Sequence, residues 1–344
     1  MKWLTRYKNF FFNKALDPYP TSWLDDFRIE LTSASDHHYA NDKQQIEITL
    51  SVRARDSLAV SDKEFASFRV VERNTAGAFI PLKTLPSQGS WWGSTEKNGY
   101  DYYASITSSA IDSPPVAERS QTSVDDAHHA NPLLQKKIYA MTSASGGTTK
   151  QLWAQITKDT GEVYETNFEF VTDITLVAVP IPQYSAPADY SLNRTLISGS
   201  ESSGIFIYEW VIFPFGVKLY SATMSPSGMI QWQDKAPDET KASYVAFAGP
   251  KEANFEHNPA IVTGDYFVAN ERADNVSSPN SDKIVVLLQG SLFIPYHSES
   301  ANTQNGPCTI TAVDYQGNPH LFKINFKLPT GLEGRTNLEI SDAR

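Results

Sequence analysis

Apolar residues fall at every second position in two successive stretches near the start of the chain. Phe27, Ile29 and Leu31 alternate with Arg28 and Glu30, and Ile46, Ile48, Leu50 and Val52 alternate with Glu47, Thr49, Ser51 and Arg53. A period of two sends successive side chains to opposite faces of a strand, so each stretch reads as a strand with one face against a core. Further strands are expected at Phe65 to Glu72, Tyr100 to Ile106, Ile174 to Val179, Ile205 to Phe213, Tyr244 to Phe247, Tyr266 to Val268 and Ile284 to Phe293, with Phe322 to Phe326 closing the chain. Ser61-Asp62-Lys63-Glu64 could instead open a helical turn just before Phe65.

Three glycine-containing turns mark expected hairpins. They are Lys158 to Gly161 between Gln151–Thr157 and Glu162–Thr166, Ser225 to Gly228 within Val217–Trp232, and Asp314 to Pro319 within Thr309–Ile324. Their spacing is irregular, which argues against a propeller or solenoid. Many strands with few helical stretches give an all-β, mainly antiparallel fold of two β-sandwich, immunoglobulin-like domains with a short N-terminal helix. At 344 residues the chain is longer than one core usually serves. The expected division is a helical segment at 1–20, a sandwich at 21–182 with a long loop at 108–135, and a second sandwich at 183–344. Pro180, Pro182 and Pro187 mark the boundary.

The helical segment places Trp3, Leu4, Tyr7, Phe10 and Phe11 at roughly helical spacing, with Lys2, Arg6, Lys8 and Lys14 between them. Its apolar run is too short for a Sec signal peptide, which leaves a cytoplasmic protein or export by a non-Sec route. The apolar stretch Gly204 to Met224 carries Glu209, Pro214, Gly216 and Lys218, so a buried hairpin is expected in preference to a transmembrane span. The segment 205–213 is apolar on both faces and reads as a strand covered on both sides.

Composition narrows the function. The net charge of −10 repels phosphate backbones, and without a basic stripe no nucleic-acid partner is expected. A single cysteine, Cys308, rules out a disulfide framework and a multi-cysteine zinc site, and reads as a small buried residue. No Gly-x-Ser-x-Gly elbow, Gly-x-x-x-x-Gly-Lys loop or His-Glu-x-x-His pair occurs, so no cofactor and no catalytic residue are assigned. Asp36-His37-His38 and Asp125-Asp126-Ala127-His128-His129 gather imidazoles beside carboxylates, but they read as solvated loop histidines and no metal is assigned.

The segment Gly89-Ser90-Trp91-Trp92-Gly93 followed by Gly99-Tyr100-Asp101-Tyr102-Tyr103 concentrates five rings in a short stretch. Exposed, Trp91, Trp92, Tyr100, Tyr102 and Tyr103 would stack on sugar rings; otherwise they pack a core or a domain interface. The function expected from the sequence is therefore a non-enzymatic binding or assembly protein with a glycan or protein partner. The alternatives are a secreted effector or pore-forming toxin component, or a hydrolase with dispersed carboxylates. Oligomeric state is left open.

Overall fold

The computed structural model describes residues 23–343 except 104–130, 167–169, 171, 235, 253, 262–280, 302–304 and 328–330. The N-terminal helical segment, most of the loop at 108–135, the strand at 266–268 and the Asp125 to His129 cluster lie outside the described residues.

The first half contains β1 (Leu24–Leu31), β2 (His37–Tyr39), β3 (Ile46–Ala54), α1 (Asp62–Ser67), β4 (Arg69–Arg73), β5 (Phe79–Pro81), β6 (Trp91–Ser94), β7 (Leu134–Thr142), β8 (Thr149–Thr157), β9 (Val163–Glu165) and β10 (Ile174–Val179). One sheet runs β1-β3-β7-β6; the other runs β2-β10-β8-β4-β5, with β9 also on β8. Among the described strands of these sheets the β2–β10 pairing is parallel and the others are antiparallel. The alternation in the sequence sets the register: Phe27 lies opposite Val52, Ile29 opposite Leu50 and Leu31 opposite Ile48. Their buried side chains meet Val70, Leu152, Ala154, Ile156, Leu176 and Ala178 from the facing sheet, so both sheets share one core.

The second half contains β11 (Tyr190–Ser200), β12 (Ile205–Pro214), β13 (Leu219–Ser225), β14 (Ile230–Trp232), β15 (Ala242–Ala248), β16 (Ile284–Ser291), β17 (Cys308–Asp314), β18 (Pro319–Phe326) and β19 (Leu338–Asp342). Its antiparallel sheets run β11-β12-β16-β15-β14 and β13-β17-β18-β19. Phe206, Trp210, Ile212, Val286 and Phe247 from the first pack on Met224, Ile310, Phe322 and Ile340 from the second. The protein is thus nearly all β, with two mainly antiparallel sheets closing over one core in each half, as in immunoglobulin-like sandwiches.

Local details depart from the sequence reading. Phe65 to Glu72 is not one strand, because Ser61 caps α1: its hydroxyl accepts from Glu64 N at 3.2 Å while the Glu64 carboxylate accepts from Ser61 N at 2.8 Å. The chain straightens only at Phe68 and enters β4. Tyr100 to Tyr103 has no regular strand structure. Leu134 and Gln135 belong to β7 rather than to the preceding loop.

The turn at Ser225 to Gly228 does not close a hairpin. It carries the chain across the sandwich, from β13 on β17 to β14 on β15. For the same reason 204–224 is no buried hairpin, since β12 and β13 lie in different sheets. Nor is β12 sealed on both sides: Phe206, Tyr208, Trp210 and Ile212 are in the core, whereas Ile205 is 46% exposed and Ile207, Val211 and Phe213 are half-buried. The segment at 322–326 is followed by β19, which pairs with it. The hairpins β8–β9 and β17–β18 form as expected. Cys308 is fully buried.

The two halves meet through the β17–β18 turn. Asp314, buried at its base, accepts from Gln316 N at 2.8 Å and from Asn318 N at 2.9 Å, which fixes the turn. Across the junction Asn41 Nδ2 donates to Gln316 O and to Asn318 Oδ1, both at 2.9 Å, and Asp101 N donates to Tyr315 O at 2.7 Å. Gly317 presses on this contact: it has φ +82°, and a Cβ there would lie 2.7 Å from Lys43 Cβ.

Candidate functional site

Lys136 interrupts an otherwise apolar face. On β7 it sits at the same parity as Leu134, Ile138 and Ala140, all of which pack on the first core. Its ammonium is half-buried between the sheets and donates to Phe68 O at 2.8 Å. Burial pushes its pKa below the ordinary lysine value. An inward charge can protect a free sheet edge, but β7 is an interior strand, flanked by β3 and β6.

Lys136 lines a cavity of about 380 Å³ together with Arg69 at the start of β4 and Lys83 just after β5. Backbone contacts build this rim. Leu82 N donates to Val70 O at 3.0 Å and Gly93 N donates to Lys83 O at 2.8 Å, so the segment after β5 stitches one sheet to the other. Gly93 permits that approach, because a Cβ there would meet Ile138 Cγ2 at 2.9 Å and Leu82 Cδ2 at 3.1 Å. The Arg69 guanidinium is oriented by a neutral acceptor, Gln155 Oε1, at 3.0 and 2.6 Å. Among the described residues none of the three cations is ion-paired to a carboxylate. Thr84, Ser94 and Thr95 add hydroxyl-bearing side chains, and Val70, Leu82 and Ile138 add apolar wall. Hydrogen-bond donors, positive charge and a partly dry wall are the features that complement an anion.

Comparison with known proteins assigns no family. No protein-family description matches the chain, and no curated protein matches it. Among solved structures, the collagen-binding domain of the Erysipelothrix rhusiopathiae surface protein RspB is 10% identical, with the alignment covering 93% of this chain and 94% of that one. The TM-score is 0.22, too low to carry any inference about this chain.

The five rings singled out in the sequence do not form an open stacking platform. Trp91 and Trp92 are only 4% and 3% exposed, with Trp91 in the first core. Tyr102 donates to Glu47 Oε2 at 2.9 Å, and Tyr103 packs edge-on against Tyr39 at 5.1 Å between centroids. Tyr100 crosses the junction to Tyr220, 5.0 Å away. Packing of core and interface therefore occupies these side chains, for the physical reason that partners far along the chain cover them.

The paired histidines separate as strand geometry requires. His37 is partly exposed and bonds Asp36 Oδ1 at 2.6 Å. His38 is not a solvated loop histidine: it lies on β2, fully buried, edge-on to Trp91 at 5.4 Å, and neither ring nitrogen has a hydrogen-bond partner. Desolvation, with a smaller contribution from His37, lowers its pKa from 6.5 to about 4. Among the described residues no group of three or more His, Cys, Asp or Glu side chains is placed to hold a metal. Among them, too, no helix is long and apolar enough to cross a membrane.

The sequence reading missed Arg69, Lys83 and Lys136. One signal was available: a lysine at an apolar position of the alternation Leu134, Ile138, Ala140.

Proposed function

We propose that this chain is a non-enzymatic binding protein whose first sandwich captures an anionic group, a carboxylate or a sulfate ester, carried by a glycan or protein partner. The observation that supports this is the clustering of Arg69, Lys83 and Lys136 around one cavity in a molecule of net charge −10. Burying the Lys136 charge costs energy that an incoming anion would offset, and each charge-assisted hydrogen bond to it is worth about 1.5–3 kcal/mol. We place the domain boundary near residue 182, since among the described residues no strand at 24–179 pairs with a strand at 190–342.

The test is an array of sulfated, sialylated and neutral glycans together with acidic and neutral peptides. It is probed with the intact protein and with a Lys83→Ala/Lys136→Met variant. Retention confined to acidic ligands, weakened by salt and lost in a variant still folded by circular dichroism, is the expected result. Equal binding by both proteins, or no binding by either, would remove the pocket as the site.

A further inference from the structure

A second charged arrangement lies at the junction of the sandwiches, outside the anion pocket. The Lys251 ammonium sits 4.4 Å from the centre of the Tyr220 ring and 4.5 Å from that of Tyr315. Those rings meet at 90° with centroids 5.4 Å apart, forming a corner, and Tyr100 packs on Tyr220 from the first sandwich. The Tyr315 hydroxyl donates to Asp282 Oδ1 at 3.3 Å, which sets behind the corner a carboxylate whose other oxygen pairs with Lys218 at 3.3 Å. Aromatic faces around a cation with an acidic group nearby are the elements of an organic-cation site.

The lysine that fills this corner is held there at a cost. Its φ is +64°, in the left-handed region, and its side chain is exposed. The ammonium is a compact, strongly hydrated ion, so its exposed head gains less from ring faces than an alkylated cation that sheds water readily. We infer that Tyr220, Tyr315, Tyr100 and Asp282 form a site for an alkylated ammonium group, occupied in the free protein by Lys251 acting as an internal surrogate ligand. A trimethylated lysine side chain and a choline headgroup share that chemistry.

Lys251→Gly tests this without endangering the fold, since glycine accepts the positive φ and the surrogate is removed. Choline is titrated into wild type, Lys251→Gly and Lys251→Gly/Tyr315→Leu, following tyrosine fluorescence and calorimetric heat. If Lys251 fills the corner most of the time, its removal raises choline affinity about tenfold. The added leucine abolishes that gain. A trimethyllysine peptide and phosphatidylcholine vesicles run in parallel distinguish a protein side chain from a lipid headgroup as the source. A folded Lys251→Gly protein that binds choline no more tightly than wild type overturns the inference.

Discussion

Lowering the pH should weaken the fold through His38. The imidazole is neutral in the folded protein down to about pH 4 but protonates near 6.5 once unfolded. A folded-state pKa below the unfolded value means that the unfolded chain binds the extra proton first. Stability is therefore complete above about pH 7 and falls as pH drops through the window between 6.5 and about 4. With those two values the loss is about 2 kcal/mol at pH 5 and about 3 kcal/mol at pH 4, a sizeable share of a domain's net stability. Replacing His38 by Phe removes the titrating group and keeps an aromatic side chain against Trp91. Urea unfolding at pH 7.5, 6.5, 5.5 and 5.0 should then give a pH dependence about 2 kcal/mol flatter than that of wild type. Identical pH dependence in the two proteins would refute this reasoning, as would a His38 resonance titrating near 6.5 in the folded state.

Three other substitutions or treatments probe the contacts described. Gly93→Ala drives a methyl group into Ile138 and Leu82 at the rim of the pocket; a loss of about 1–3 kcal/mol in urea unfolding is expected. Gly317→Ala meets both a positive φ and Lys43, so the junction should loosen, seen as faster hydrogen exchange at Asn41 to Gln44 with β3 and β18 unchanged. Burial pushes the Cys308 thiol up to about 12, so a thiol reagent at pH 8 should label it only in denaturant.

Much of the fold was legible because it is written in short-range pattern. Phe27, Ile29 and Leu31 declare a strand by alternation alone, and Asp314 to Pro319 declares a turn by composition. What escaped depends on distant partners. The turn at Ser225 to Gly228 has the same composition whether it closes a hairpin or passes between sheets. The choice is made by the pairing of Met224 with Ile310 and of Ile230 with Tyr244. The aromatic cluster was equally ambiguous, since Tyr220, which covers Tyr100, lies far along the chain. Arg69, Lys83 and Lys136 come from separate strands and segments whose closeness only the sandwich creates.

The proposal that this cavity takes an anion is tested most directly at Lys136 itself. Its side-chain pKa can be followed by carbon-13 NMR of labelled lysine, with sulfate added at constant ionic strength. Without the anion the pKa should lie below the ordinary lysine value, because burial disfavours the charge. Bound sulfate should raise it toward or beyond the ordinary value. A Lys136 pKa that saturating sulfate leaves unchanged would contradict the assignment of this cavity as an anion receptor.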